Sequence, residues 1–316
     1  SEDSIRDVAG GAPTFTDLER FLKTEMDAVV VSTPPHVHEA ACIGALERGM
    51  HVLVEKPMAS SAEVCRRMLD TAKAANRTIA TGFNMRYYPA FAYVKDALTA
   101  GKIGKISHVR AFGGHNGLVH FSHDWEYRVP ESGGGAMWDI GIHVTDMVRH
   151  MLGEVTSVYG VASESVWNLP GSEDNAIAVF KNPEGVPAVY QATWGEWRGY
   201  DFVIEAHGTH GMVRGAYAPM QNLLMTMSEP GGKPEITKLN YFDIAVREKL
   251  KSWKSTCKIS FAEELQDFLK LCDGDLSVRI ADGNAGLRSI EIANAVIEST
   301  RTNKAVELPV LEPARL

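Results

Sequence analysis

Short continuous apolar runs alternate with amphipathic helical patterns over residues 16–104, and from Ile106 onward strand-like runs follow one another without regular helices between them. Asp27–Ser32, His51–Val54 and Thr78–Gly82 read as strands buried on both faces, the signature of a parallel sheet. Between them, His38–Arg48 ending at Gly49, and a second helix opened by the Ser60-x-x-Glu63 capping box and running to Ala75, predict the crossovers of βαβ units. A helix over Pro89–Ala100 closes this half. Beyond it Ser107–Gly113, Thr156–Ser163, Ala176–Phe180, Val186–Trp194, Asp201–His207 and Met212–Arg214 predict a mainly antiparallel sheet. Ser260-x-x-Glu263 predicts the start of a helix reaching about Asp273, Asp282 the cap of a last helix to Thr300, and Val306–Leu308 a final strand. The change of pattern near Gly101–Lys105 divides the chain into domains 1–104 and 105–316.

Parallel strands bring the loops after their carboxyl ends to one edge, where ligands bind. Those loops are Thr33-Pro34-Pro35, Glu55-Lys56-Pro57 and Phe83-Asn84-Met85-Arg86. A second concentration of chemistry runs from Ser132 to Gly153. Gly133-Gly134-Gly135 lets backbone approach a ligand closely, and the helix that follows carries an apolar stripe of Met137, Ile140, Val144, Met147, Val148 and Met151. Asp139, His143, Asp146 and His150 share another face, so His143 sits within one turn of two carboxylates, an arrangement that orients and tunes a proton acceptor. The same spacing also describes a solvated face with a satisfied histidine, and for this helix alone that is the commoner case.

Composition narrows the function classes. With 45% hydrophobic residues in 316, the chain is long enough for two ordinary cores. A net charge of −8 without charged blocks argues against nucleic acid and against an anionic membrane surface as partners. Cys42, Cys65, Cys257 and Cys272 stand far apart and in no C-x-x-C spacing, which fits reduced thiols. No apolar run is long enough to span a bilayer, and the expected location is cytoplasmic.

With Glu55-Lys56-Pro57 after one buried strand, Gly82-Phe83-Asn84-x-Arg86 after the next, and Gly133-Gly134-Gly135-x-x-x-Asp139-x-Gly141-x-His143 on a helix, the chain resembles the Gfo/Idh/MocA oxidoreductases from about Thr14 to Leu308. Gly208-Thr209-x-Gly211 and Asp282-Gly283 extend the match. The resemblance implies a Rossmann domain binding NAD or NADP, followed by an α/β domain whose open sheet mediates assembly into a dimer or tetramer, and hydride transfer to or from a secondary hydroxyl carbon of a sugar, cyclitol or related polyol. It implies Lys56, Asp139 and His143 as the catalytic set. Thr33, Pro34, His38, Glu55, Lys56, Asn84 and Arg86 are then the expected cofactor contacts. These roles agree with the chemistry: an imidazole has the pKa range to take a hydroxyl proton, and a cation at a strand end stabilises a developing alkoxide. His115, His123, Trp125 and Arg128, from a segment rich in hydrogen-bonding and aromatic side chains, are expected to bind substrate with Asp139 and His143. The histidines at 115, 120 and 123 fit no standard metal-ligand spacing, so no metal is expected. Trp194, Trp197, Arg198 and Tyr200 suit either a substrate pocket or a subunit interface.

One departure from the family pattern is large. No G-x-G-x-x-G follows any strand, and in the doubly wound order about sixty residues carrying the first two strands would precede the strand expected near Thr14–Phe15. The expected fold is therefore an incomplete Rossmann-type parallel sheet followed by an α/β domain with an open, mainly antiparallel sheet. Such a chain is expected to have an exposed sheet edge and to bind the cofactor's diphosphate weakly, which puts its own activity in question. Two other functions stay open at this level: an NAD-dependent glycosidase working by transient oxidation, and a cofactor-free binding protein.

Overall fold

Apolar runs flanked by turns become the first sheet. The computed structural model describes residues 9–311. Ala28–Val31 (β1), His51–Glu55 (β2) and Ile79–Gly82 (β3) lie parallel, with Val30 beside Leu53 and Leu53 beside Ala80. Helices Leu18–Leu22 (α1), His38–Leu46 (α2) and Ala62–Ala75 (α3) accompany them. Ser61, not Ser60, caps α3: its hydroxyl accepts from Val64 N at 3.3 Å, so the cap lies one residue beyond the expected position and, with Val64 at its third position, is a simple cap without the reciprocal glutamate bond. Thr14 and Phe15 form no strand, and β1 stands at the edge of this sheet, with Val30 50% exposed.

The second sheet follows Pro89–Thr99 (α4). Its strands are Ile106–Gly114 (β4), Ser157–Ser163 (β5), Asn175–Lys181 (β6), Pro187–Thr193 (β7), Asp201–Gly208 (β8), Gly211–Tyr217 (β9), Gln221–Thr226 (β10) and Glu235–Asn240 (β11), with a short strand Val306–Glu307 at the far edge. Spatially they run β11-β10-β9-β8-β4-β7-β6-β5 and then the short strand. β4 and β7 are parallel, and the other neighbours are antiparallel. Alternation sorts the faces. Val158, Ala178, Phe180 and Tyr190 point inward, while Tyr159, Val161, Ile177, Val179 and Val189 stay exposed on the open face. α4 and Ile140–Leu152 (α5) cover the inner face and share its core through Phe91, Val94, Val144 and Met147.

Strands β10 and β11, a helix at Phe242–Lys251 and a strand at Ala281–Asp282 were not expected. β10 and β11 pair through their backbones. Phe242–Lys251 (α6) and Lys254–Cys272 (α7) form a helix pair, and α7 begins six residues before the predicted start. Ser260 lies within α7, its hydroxyl donating to the Cys257 carbonyl rather than capping. Ala281–Asp282 (β12) then returns to pair antiparallel with β3. Asp282 caps Gly283–Thr302 (α8) as expected, accepting from Ala285 N at 2.9 Å. One end of α8 packs Leu287 and Ile290 into the first core, and the other places Ser299 against Gly160 of β5, so a single helix ties both sheets together. Among the described residues no helix is long and apolar enough to cross a membrane, and the four cysteines are free, Cys42 and Cys65 buried.

Candidate active site

The loops after β1 and β2 are held together from beneath. His38, fully buried at the start of α2, sets its Nε2 2.6 Å from the Thr33 carbonyl and its Nδ1 3.1 Å from the Met58 carbonyl. Burial lowers its pKa while the carbonyls work the other way, and its two bonds brace the two loops against each other. Above it a cavity of about 340 Å³ is lined by Thr33, Glu55, Lys56, Trp125, Gly134 and Asp139, among others.

Asp139 is the hub. It occupies the residue before α5, where the Lys56 ammonium donates to its carbonyl at 3.2 Å and to Oδ1 at 3.3 Å. Oδ2 meets His115 Nε2 at 2.6 Å and accepts from the Trp194 indole at 3.1 Å. Gly117 N–H donates to His115 Nδ1, which leaves the proton of a neutral His115 on Nε2, pointing at Asp139. Burial by itself would raise the Asp139 pKa, but Lys56, His115 and Trp194 together hold it well below the usual carboxylate range. The side chains of Lys56 and Asp139 remain 23% and 26% exposed, enough to meet a ligand in the cavity.

His143 lies one turn along α5, buried edge-on to Phe83 with ring centroids 5.9 Å apart. Burial first, and the Lys56 charge second, push its pKa well below the ordinary histidine value against the opposing pull of Asp139, so the imidazole is neutral. The expected orientation by flanking carboxylates is not found. His143 Nδ1 has no partner among the described residues, and Asp146 belongs to Arg86, which grips it with Nε at 2.8 Å and Nη2 at 2.6 Å. Nor is there a solvated face: α5 is enclosed along nearly its whole length because both sheets and α8 pack around it.

Arg86 is accordingly a buried structural cation, donating also to the Arg279 carbonyl at 3.2 Å and bordering a separate cleft with Lys95, Arg149 and His150. It is not among the residues lining the Lys56 cavity. Asn84, also buried, donates to Ser260 Oγ at 3.1 Å and fastens the loop after β3 to α7. Pro34 precedes the turn Pro35–Val37 that leads into α2. In the 115–128 segment, Trp125 reaches the cavity, whereas Arg128 is taken up by Asp124 at 2.8 Å and His123 is exposed at the start of a short 3₁₀ turn. Trp194 belongs to the site and Tyr200 lies against Met85. Trp197 and Arg198 are exposed, and Arg198 pairs with Glu196 and Asp201.

Sequence reasoning missed Glu173. Its buried carboxylate accepts from Gly135 N at 3.1 Å and Met137 N at 2.8 Å, and its carbonyl accepts from Ala136 N at 2.7 Å. A Cβ on Gly135 would stand 2.0 Å from that carbonyl, so the glycine is demanded by the protein's own backbone as much as by any ligand. Gly133, at φ 95°, makes the turn that enters the loop. A lone acid in an irregular stretch thirty-odd residues downstream offered no periodic or spacing signal.

Residues 4–83 match a family model described as an oxidoreductase family with an NAD-binding Rossmann fold, and residues 91–214 match the GFO/IDH/MocA C-terminal domain. Among curated relatives, the 1,5-anhydro-D-fructose reductase of Ensifer adhaerens is 28% identical over 221 residues, covering 69% of this chain and 66% of that enzyme. The scyllo-inositol 2-dehydrogenase (NAD(+)) of Bacillus subtilis is 26% identical over 289 residues, covering 90% of this chain and 78% of that enzyme. A solved structure of levoglucosan dehydrogenase in complex with NADH and levoglucosan shares the fold, with a TM-score of 0.82, 22% identity, and coverage of 98% of this chain and 88% of that one. Matched in both halves of the sequence, and with its motifs gathered on one edge of the first sheet, the chain belongs to the Gfo/Idh/MocA oxidoreductases.

Proposed function

We propose that the chain is an NAD-dependent oxidoreductase acting on a secondary hydroxyl of a sugar- or cyclitol-like ring, with Lys56, Asp139 and His143 as its reacting set. The observation that carries this reading is the part-exposed Lys56–Asp139 pair, fixed by His115 and Trp194 in a cavity at the carboxyl ends of parallel strands. Thr33, Glu55, Lys56 and Gly134 would hold the nicotinamide end: they line one cavity, and its two loops are braced by His38. When bound, the nicotinamide supplies the hydride acceptor or donor.

The rest of the chemistry is the chain's own. His143 is neutral, and with Nδ1 enclosed in the interior, Nε2 is the nitrogen that takes the hydroxyl proton. Lys56 places a positive charge beside the oxygen as it becomes alkoxide-like. Asp139 keeps that ammonium in place, and His115 and Trp194 keep Asp139 in place. The activities named for the relatives, one on an anhydrosugar and one on an inositol, support a ring polyol as substrate. Incubating the protein with NAD⁺ and a panel of inositols and pyranoses should yield NADH and ketone in equal amounts. Release of an aglycone from glycosides with no net NADH would move the reading to a glycosidase working by transient oxidation.

Self-association through the open face of the second sheet completes the proposal. Tyr159, Val161, Ile177, Val179 and Val189 leave an exposed apolar band across β5, β6 and β7, of the kind that a partner subunit covers. Sedimentation velocity should show a dimer or tetramer, and Ile177→Asp should shift it toward monomer; a wild-type protein that sediments as a monomer removes this part.

A further inference from the structure

Around the Asp139 hub stands a group of aromatic rings that proton and hydride transfer do not require. The His115 ring lies 4.7 Å from that of His120, and His120 in turn lies 6.5 Å from Trp253, tilted by 34°, and 6.4 Å from Tyr200. His120 is near enough for the charges of Asp139 and Lys56 to act on it, and partial desolvation beside the neighbouring rings lowers its pKa. Trp253 comes from a distant part of the chain. It sits at the corner between α6 and α7, directly after Ser252, whose φ of 74° reverses the backbone. The indole is 50% exposed and His120 is exposed, so neither ring is there to fill the core.

We propose that Trp253 and His120 form an aromatic wall of the substrate cleft, against which the carbon face of a ring polyol lies while its rim hydroxyls reach Lys56, Asp139 and His143. This rests on the reading of those three residues as the reaction site. A pyranose or cyclitol carries hydroxyls around its edge and polarised C–H bonds on its faces, and the negative face of an aromatic ring attracts such hydrogens. An open-chain polyol presents no comparable rigid face unless its rotations are frozen, which weakens binding. The wall therefore selects cyclic over open-chain substrates, and Trp253 is a specificity residue that the family motifs do not contain.

The test compares kcat and KM of wild type, Trp253→Ala and Trp253→Phe with scyllo-inositol and D-glucose against D-sorbitol and D-mannitol at saturating NAD⁺, with circular dichroism to verify folding. Trp253→Ala should lose about tenfold or more in kcat/KM for the cyclic compounds, mostly through KM, while the open-chain ones stay within about twofold, and Trp253→Phe should recover most of the loss. Equal losses for both classes, or none, overturn the proposal. If wild type oxidises no probe, the oxidoreductase reading fails, and the wall is then tested by saturation-transfer NMR with methyl β-D-glucoside and D-mannitol. Saturation of the glucoside ring protons that disappears in Trp253→Ala, with none on mannitol, supports the wall; transfer unaffected by the substitution refutes it.

Discussion

Glu173 offers the sharpest test of how the glycine-rich loop is held. Its carboxyl group is 4% exposed, and burial pushes its pKa from the ordinary 4.5 up to about 7, although the N–H groups of Gly135 and Met137 favour the charged form. A raised carboxyl pKa means that the folded protein holds its proton more tightly than the unfolded chain. This contribution is fully present below about pH 4.5 and is lost as pH rises toward 7, by about 1.4 kcal/mol per unit, for a total of roughly 3 kcal/mol. Glu173→Gln cannot titrate, so the difference in unfolding free energy between wild type and this variant should change by that amount across the window. Glu173→Ala leaves the two backbone donors buried and unpaired, and should destabilise by about 2–5 kcal/mol near pH 4.5, a deficit that narrows toward pH 7 as wild type loses its own pH-dependent contribution. Urea denaturation of the three proteins at half-unit steps from pH 4.5 to 8 measures both effects. Parallel pH curves for wild type and Glu173→Gln would refute the assigned burial, and an Ala variant as stable as wild type would refute the role of the carboxylate in holding the loop.

His143→Ala should lower kcat by about two to four orders of magnitude with little change in folding, and near-normal turnover would pass the base role to another group. Because burial and then Lys56 lower the His143 pKa, the acidic limb of kcat/KM should lie below the ordinary histidine range and move upward in Lys56→Ala; a limb that stays put separates the two residues. Asp139→Asn removes the negative partner of Lys56 and His115 while keeping the shape, so kcat should fall by about tenfold or more with KM less affected, as steady-state kinetics would show. Arg86→Ala strands the enclosed Asp146 carboxylate and should destabilise by about 3–5 kcal/mol in chemical denaturation, while calorimetry shows NAD affinity retained; intact stability with lost NAD affinity would instead make Arg86 a cofactor contact.

Burial imposes periodicity, and periodicity was what the sequence displayed. Strands enclosed on both faces showed as short runs of apolar and small residues at His51–Glu55 and Ile79–Gly82, and strands with one open face showed as alternation at Asn175–Lys181. The motifs around Lys56 and Asp139 were legible because strand ends and a glycine-rich turn carry them at fixed spacing. The polar strand Glu235–Asn240 left no such trace, since its exposed side chains bury little and its pairing rests on backbone hydrogen bonds. Helical spacing put Asp139, His143 and Asp146 within reach of one another but could not say what faces each. Packing decided that. Asp146 went to Arg86, Asp139 to Lys56, His115 and Trp194, and the backbone of the glycine-rich loop to Glu173. Each partner is far away in sequence, and a buried charge or donor takes whichever partner the fold brings within hydrogen-bond distance, because leaving it unpaired is the more expensive state. The return of β12 to the first sheet and the bridging of both cores by α8 belong to the same class: local sequence specified a capped helix there, and only the closed structure determined what it would hold together.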